Sequence, residues 1–263
     1  EKEQLREKYK AKIVGLLNEH REEHNNLNSK IDISYNYIES HVRAGLYITQ
    51  AFLPDYWPTS WPVMSSQWFI AHNFVCTFFG ADAIILYDWY VDVGEEDAWD
   101  PSIEAFISHN HITLNNDEWG GLVLIGVDDA FIIKNVVTGL GDYGFDLWLC
   151  NNLKILGNRI QIDALGTSPG NSWELFYAMS LWYGSDNVFA FNTISHKKTN
   201  GLFIIGSNEN LILGNLIKDN GGYGLYMEGS NDNCITANVF YNNFLDNIYD
   251  DSTTNNYRWN WEW

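Results

Sequence analysis

The hydrophobic and polar positions of the chain recur with a period of about 23 residues, and an asparagine marks each repeat. In "ILGNLI" (212–217) and "ITANVF" (235–240), an apolar residue stands three positions before the asparagine and another two positions after it. The same pattern surrounds eight asparagines, Asn36, Asn73, Asn110, Asn135, Asn158, Asn192, Asn215 and Asn238. All sixteen flanking positions are apolar, so the period describes most of the chain.

A second apolar run follows most of these asparagines and begins with a glycine nine residues later, as in "GLYI" at 45, "GFDLWL" at 144 and "GLYM" at 224. Short β-rich runs separated by Gly/Asn/Asp turns predict the coils of a parallel β-helix. A coil cannot bury its own apolar side chains, but stacked coils bury them in a column that advances about 4.8 Å per coil. An asparagine at a tight turn tolerates unusual backbone angles, and its amide can hydrogen-bond to neighbouring coils. We therefore predict a structural ladder of these eight asparagines.

The chain resembles right-handed parallel β-helix proteins of the pectate-lyase-like superfamily, especially the NosD-like parallel β-helix repeat proteins. The resemblance rests on "GNLIKDNGGYGLYMEGSNDNCITANVFYNN" and on the aromatic, Asn-rich ending "NIYDDSTTNNYRWNWEW", and it covers residues 31–263. It implies an all-β fold, a right-handed single-stranded parallel β-helix of eight or nine coils. Because the superfamily includes lyases, glycosidases, epimerases, phage spikes and non-enzymatic surface proteins, the resemblance implies no single function.

The chain divides into a short N-terminal segment and one large domain. Residues 1–30 are rich in helix formers and carry an apolar stripe at helical spacing, which predicts an amphipathic helix. This helix either caps the open end of the solenoid or joins the chain to partner chains. Residues 31–263 form the β-helix domain, and wider spacing between asparagines predicts inserted loops at 51–66, 88–102 and 163–177. Insertions in solenoids usually lie on one face, often the binding face.

Composition narrows the classes of partner. The 263 residues are 46% hydrophobic and carry a formal net charge of −19, which argues against nucleic acid and anionic membrane surfaces. No segment is long and apolar enough to span a bilayer. A signal peptide is not present in this chain, and we expect an extracellular or cell-surface location. The odd number of cysteines favours buried free thiols at Cys76, Cys150 and Cys234 over a disulfide framework.

Alternation along the Gly-led strands predicts which side chains face outward. The first set of outward positions is Tyr47, Ile84, Val123, Asp146, Ser180, Phe203 and Tyr226. The second set, two residues later, is Thr49, Leu86, Ile125, Trp148, Trp182, Ile205 and Glu228. This face is too apolar for open water, so inserted loops, other subunits or a ligand must cover it.

A ligand trough would have a preferred place, since Asp146 stands beside Trp148 and one coil below Trp182. Flat aromatic faces next to carboxylates suit sugars. The candidate substrate-binding residues are Trp148, Trp182, Trp119, Trp173 and Tyr47. The candidate catalytic carboxylates are Asp146, Asp142 and Glu118, because the roughly 5–10 Å that glycosidases need corresponds to one or two coil steps. The candidate Ca²⁺ ligands are Asp117, Asp142 and Asp163. No cofactor is required, and each of these carboxylates has the alternative role of solvating a turn.

A second set of polar residues, Tyr35, His72, His109 and Lys134, stands one residue before successive ladder asparagines, and His111 is close by. Stacked imidazoles could bind a metal or shuttle protons. The alternative is a structural role at a sheet edge or turn. The copper link in the name of NosD-like proteins does not transfer, because no motif in this sequence carries it.

Two functional hypotheses stay open. The first is an extracellular carbohydrate-interacting protein, either a polysaccharide binder or a glycoside-cleaving enzyme that uses the trough. The second is a non-enzymatic surface or appendage protein whose outer sheet packs against other subunits, including copies of itself. Lyase and epimerase activities are less favoured, since the motifs of the polygalacturonase and mannuronan epimerase types are absent and no Arg lies in the acidic cluster.

Overall fold

The computed structural model describes residues 30–40, 46–51, 66–78, 83–89, 103–115, 120–163, 177–196 and 198–262. Within these ranges every regular element is a β-strand, numbered β1 to β26 in chain order. The first sheet contains β1 (Lys30–Ser34), β4 (Ser66–Ala71), β7 (Ile103–Ser108), β10 (Phe131–Ile133), β13 (Lys154–Leu156), β16 (Val188–Ala190), β19 (Leu211–Leu213), β22 (Cys234–Thr236) and β25 (Asn256–Arg258).

The other two sheets take the remaining strands of each coil in turn. The second sheet contains β2 (Tyr37–Ser40), β5 (Phe74–Phe78), β8 (His111–Asn115), β11 (Val136–Leu140), β14 (Arg159–Asp163), β17 (Thr193–His196), β20 (Leu216–Lys218), β23 (Val239–Tyr241) and β26 (Trp261–Glu262). The third sheet contains β3 (Leu46–Ala51), β6 (Ile84–Trp89), β9 (Leu122–Ile125), β12 (Tyr143–Trp148), β15 (Tyr177–Trp182), β18 (Asn200–Ile205), β21 (Tyr223–Glu228) and β24 (Asp246–Asp250).

Each coil contributes one strand to each sheet, and every strand pairs in parallel with its equivalent one coil away. Ile132, for example, is in register with Ile107 on one side and Ile155 on the other. Eight such coils stack among the described residues, and a ninth adds β25 and β26 to the first two sheets. Connections between parallel strands of one sheet are right-handed in nearly all proteins. The prediction of an all-β, right-handed parallel β-helix is confirmed.

The core is a column of apolar side chains, as the period predicts. Ile132, Ile155, Phe189 and Ile212 occupy equivalent positions on successive coils, and each is fully buried. β-Branched and aromatic side chains suit this place, because they pack well on a pleated surface against the equivalent residue of the next coil. The pattern that defines the repeat is therefore the pattern of core burial.

The asparagine ladder supplies hydrogen bonds to the buried backbone groups of the turn between the first and second sheets. The Asn158 side chain donates from Nδ2 to Oδ1 of Asn192 (3.0 Å) and to the carbonyl oxygen of Ile132 (2.8 Å). Its Oδ1 accepts from the backbone N (2.9 Å) and Nδ2 (3.1 Å) of Asn135. Side-chain amide bonds of the same kind run from Asn36 to Asn238 and end on Asn260.

The residue before each ladder asparagine lies in the left-handed region of backbone conformation, which turns the chain sharply. Tyr35, His72, His109 and Lys134 have φ between 52° and 59° there, and Gly157 follows at 64°. A side chain in this conformation is costly except for glycine, asparagine or aspartate. The hydrogen bonds of the adjacent asparagine hold each turn in place despite that cost.

Two further ladders at the other turns were not predicted. Asn187, Asn210 and Asn233 repeat the amide-to-amide bonds at 3.0 and 2.9 Å, and the series continues to Asn255. A shorter series joins Asn220 to Asn243 at 2.7 Å. Their 23-residue spacing is visible in the sequence, but an apolar residue does not stand three before and two after each of them.

Several sequence predictions need correction or lie outside the described ranges. The predicted helix at 1–30 is undescribed except for Lys30, which begins β1. The three predicted loops likewise lie mostly outside the described ranges. Their predicted borders are wrong, because six of the border residues belong to strands. These residues are Ala51, Ser66, Asp88, Trp89, Asp163 and Tyr177. Ile84 and Leu86 are also wrongly placed as outward residues. Both are fully buried in the core, and Ile85 pairs with Val123 on the outer face.

The described cysteines are free thiols, as expected. Cys76 and Cys150 are buried and Cys234 is half-buried. Burial raises the pKa of the Cys150 thiol to about 12, so this side chain behaves as a small apolar core residue.

Candidate functional site

The outer face of the third sheet carries a continuous layer of aromatic rings. We call this layer the aromatic floor, and it consists of Tyr143, Trp148, Tyr177, Trp182, Phe203, Tyr226 and Tyr249. The parallel register places equivalent rings on successive coils about 4.8 Å apart, which is the distance at which aromatic faces stack. The predicted outward direction of Asp146, Trp148, Trp182, Phe203 and Tyr226 agrees with this arrangement.

Two columns of stacked rings make up the floor. In one, Trp148 and Trp182 stack with centroids 4.6 Å apart and planes 9° from parallel. In the other, Phe203 stacks on Tyr226 at 4.9 Å, and Tyr226 stacks on Tyr249 at 4.6 Å. The columns meet where the Trp182 ring packs against Phe203 at 5.3 Å, so the floor is one connected surface.

Asp146 lies within this floor as its most buried charged group. Its Oδ1 accepts hydrogen bonds from the Tyr177 hydroxyl (2.9 Å) and from Ser180 Oγ (2.6 Å), which belong to the next coil. The side chain is 8% exposed, and within the described residues its Oδ2 accepts no hydrogen bond. One oxygen thus orients the carboxylate and the other is left for a further donor.

The Tyr177 hydroxyl is held in its neutral, donating form. Burial raises the pKa of Tyr177 far above its ordinary value, and the negative charge of Asp146 raises that pKa further. The hydroxyl therefore keeps its proton at neutral pH and donates to Asp146.

We expect Tyr177→Phe to lower the free energy of unfolding by about 1–2 kcal/mol, because it removes one of the two donors to a buried carboxylate. Urea denaturation followed by circular dichroism measures the change. Tyr183→Phe is the matched control, since this tyrosine is exposed. Equal effects of the two substitutions would show that the bond to Asp146 adds nothing.

The middle coils of the floor are the least exposed. Trp182 is 9% and Phe203 4% exposed, whereas Tyr226 is half-buried and Tyr249 is 38% exposed. Trp148 is also half-buried. The ring faces that a ligand can reach thus include Tyr226 and Tyr249.

A second carboxylate accompanies the exposed part of the floor. The Tyr226 hydroxyl donates to Oε2 of Glu228 at 2.8 Å, and Glu228 is exposed. Burial, followed by the Glu228 carboxylate, raises the pKa of Tyr226 well above its ordinary value. Each column of the floor is therefore flanked by a carboxylate bonded to a tyrosine hydroxyl.

Asp142 and Asp163, the other predicted carboxylates within the described ranges, do not form a close pair with Asp146. Asp142 lies four residues before Asp146 in the chain, which is about 13 Å along an extended backbone. Its carbonyl oxygen accepts hydrogen bonds from Tyr177 N and His196 Nε2. Asp163 ends β14 in the second sheet, in register with Leu140. Asp146 itself is in register with Val123 and Ser180, so neither neighbouring coil of the floor places a carboxylate beside it.

Of the remaining predicted site residues, four lie outside the described ranges and one is in register with the column of Asp146. Residues Asp117, Glu118, Trp119 and Trp173 lie outside the described ranges. Tyr47 lies in β3, in register with Ile85. Among the described residues, no group of three His, Cys, Asp or Glu side chains is placed to hold a metal ion.

The predicted histidine column is an exposed stack at the edge of the second sheet. Tyr35 stacks on His72 at 4.9 Å, and His72 stacks on His109 at 5.0 Å. Partial burial, then the neighbouring charges of His72 and Lys134, lowers the pKa of His109. Their shared left-handed backbone conformation gives these residues a structural role as turn formers.

Comparison with known proteins gives one family match and several structural matches. Residues 167–262 match the family described as periplasmic copper-binding protein (NosD). No curated protein matches the chain significantly. The periplasmic alginate epimerase AlgG superimposes with a TM-score of 0.40 and 11% identity, over 76% of this chain and 74% of that chain. The A-module of the Azotobacter vinelandii mannuronan C-5 epimerase AlgE6 gives 0.37 and 11%, over 74% of each chain.

In the part of the chain that the structure describes, no helix is long and apolar enough to cross a membrane. The family match falls on the coils with the most regular 23-residue spacing, and the three parallel sheets extend the same architecture to β1. The chain is a right-handed parallel β-helix protein, and its residues 167–262 match the NosD family.

Proposed function

We propose that the protein binds a polysaccharide on the aromatic floor and acts outside the cytoplasm. The observation that carries this proposal is the pairing of accessible stacked rings with oriented carboxylates, Trp148 beside Asp146 and Tyr226 beside Glu228. Sugar rings present an apolar face that stacks on aromatic rings, and their hydroxyls donate to carboxylates. An extracytoplasmic location agrees with the word "periplasmic" in the description of the matching family.

Binding is favoured over glycoside cleavage. A glycosidase needs two carboxyl groups about 5–10 Å apart across the scissile bond. In the described floor, Asp146 in β12 and Glu228 in β21 are three coils apart, about 14 Å. They also lie in different columns, since Glu228 is in the column of Trp148. The floor thus offers hydrogen-bond acceptors along its length and no closely spaced catalytic pair.

We expect Tyr226→Ala and Trp148→Ala each to weaken binding to the best polysaccharide from a glycan array by about five- to tenfold, since one aromatic contact contributes about 1 kcal/mol. Isothermal titration calorimetry measures the change. Tyr241→Ala is the matched control, because Tyr241 is an exposed aromatic on the second sheet.

Two results would overturn the proposal. One is the absence of any glycan signal from a folded protein. The other is a stable oligomer in light scattering that Tyr226→Ala dissociates, which would assign the floor to contacts between subunits. The second hypothesis has its own support in the last coils, where Phe244 and Trp259 are 76% and 55% exposed.

A further inference from the structure

We propose that the polysaccharide is cationic, a polymer of amino sugars such as glucosamine whose protonated amines lie along the aromatic floor. This inference rests on the proposed function and names the ligand class of the same site. Three independent features of the described residues support it, namely the charge of the third sheet, two polar atoms of the floor, and the accessible ring faces.

The third sheet contains no positive charge. Its described strands include no Lys, Arg or His, whereas Asp146 and Glu228 lie on its outer face and Asp246 is exposed in its last strand. The basic residues of the described strands lie on the other two sheets, for example Lys154 in β13 and Lys218 in β20. A uronate polymer would therefore bring negative charge onto a negative surface, which costs binding energy, whereas an ammonium polymer matches it.

One polar atom in the floor is buried without a partner, and a second is open to a ligand. Trp182 Nε1 is buried and makes no hydrogen bond within the described residues. Asp146 Oδ1 accepts two hydrogen bonds, whereas its Oδ2 accepts none from the described residues. A buried N–H usually has a partner, so Trp182 Nε1 indicates a missing acceptor, and Asp146 Oδ2 can take a further donor.

An amino sugar supplies both the hydrogen-bond donor and the acceptor. Its ammonium group has three donors and forms a charge-assisted hydrogen bond with a carboxylate such as Asp146, and a neighbouring hydroxyl oxygen accepts from an indole N–H. A neutral sugar offers the hydroxyl but not the charge. The carboxylates at Asp146 and Glu228 therefore favour the cationic polymer over the neutral one.

The accessible rings strengthen the same preference. A cation over the face of Trp or Tyr is attracted by the negative face of the ring, with Trp the best partner. Trp148 at one end and Tyr226 and Tyr249 at the other present partly exposed faces. These rings belong to the fourth, seventh and eighth coils, so the floor extends about 19 Å and takes an oligosaccharide rather than a single sugar.

Calorimetric titration with hexamers of three chemistries tests the inference at pH 5.5. We expect the glucosamine hexamer to bind at least tenfold more tightly than the neutral N-acetylglucosamine hexamer, and the galacturonate hexamer to show no binding. The preference should shrink in high salt and at pH 8, where the amine loses its proton. Glu228→Gln removes a charge but keeps an acceptor for the Tyr226 hydroxyl. This variant and Asp146→Asn should each reduce the preference for the glucosamine hexamer over the neutral hexamer about threefold.

Glu262→Gln is the matched control, since it removes the same charge from an exposed position on the second sheet. Equal loss of preference in Glu262→Gln and Glu228→Gln would show non-specific attraction of a polycation and overturn the inference. Equal affinity for the neutral and cationic hexamers, or tight binding of galacturonate, would also overturn it while leaving the proposed function intact. Failure of every glycan to bind would instead overturn the proposed function.

Discussion

Asn158→Ala is expected to lower the free energy of unfolding by about 3–5 kcal/mol, since it removes several buried hydrogen bonds at once. The substitution leaves the carbonyl oxygen of Ile132 without its donor, and it leaves the N–H groups of Asn135 without their shared acceptor. Each orphaned buried group costs about 1–3 kcal/mol. Water cannot replace the lost partners because Asn158 is 1% exposed.

Urea denaturation followed by circular dichroism and by tryptophan fluorescence measures this effect. Agreement of the two signals shows that the coils unfold together, which a solenoid of stacked repeats does not guarantee. Asn256→Ala is the matched control, because this asparagine is exposed and only its backbone N–H bonds, to Asn233. We expect the control to change stability by less than about 0.5 kcal/mol. A loss below about 1 kcal/mol in Asn158→Ala would contradict the structural role of the ladder.

The fold was predictable because one requirement repeats in every coil. Each coil must point apolar residues inward and satisfy one buried turn, so residues such as Ile155 and Asn158 mark the same place each time. The prediction of outward-facing residues failed in a coil that lacks the usual glycine before its third-sheet strand. In the second coil, Ala83 takes the place before the strand that glycine holds in most coils, and its N–H bonds to the Gly120 and Gly121 carbonyls. Without a glycine there, Ile84 was wrongly assigned to the outer face.

The candidate site was predictable only in part. Alternation and register correctly indicate that Asp146, Trp148 and Trp182 share the outer face, since these depend on neighbouring coils alone. Exposure depends on the whole fold, and the sequence does not indicate that Phe203 is buried while Tyr249 is accessible. The bonds of Asp146 to Tyr177 and Ser180 join residues 31 and 34 positions apart, across an insertion that hides their spacing.

Stability is expected to fall as the pH drops below about 6.5, because His196 is buried in its neutral form. Burial lowers the pKa of His196 to about 4, and the unfolded chain has an ordinary value of about 6.5. Nε2 donates to the carbonyl oxygen of Asp142 at 3.1 Å, and Nδ1 accepts from Lys198 N at 3.3 Å. Protonation at Nδ1 would remove that acceptor and bury a charge near Lys198.

The sign follows from proton binding in the two states. Between pH 6.5 and 4 the unfolded state binds a proton at this position and the folded state does not, so acid favours unfolding. The contribution of His196 is fully present above pH 6.5 and is lost as the pH falls toward 4. Between pH 6.5 and 5 it amounts to about 2 kcal/mol.

His196→Gln isolates this contribution, because glutamine keeps a donor for the Asp142 carbonyl but does not titrate. Urea denaturation at pH 6.5 and at pH 5 gives the loss of stability between the two pH values. We expect this loss to be about 2 kcal/mol smaller in the variant than in the unaltered protein. His111→Gln is the matched control, since it makes the same replacement at an exposed position. An identical pH dependence in His196→Gln and the unaltered protein would show that His196 accepts a proton in the folded state. The hydrogen bond from His196 in β17 to the Asp142 carbonyl, next to the first strand of the aromatic floor, would then form with a charged imidazolium as well as with the neutral ring.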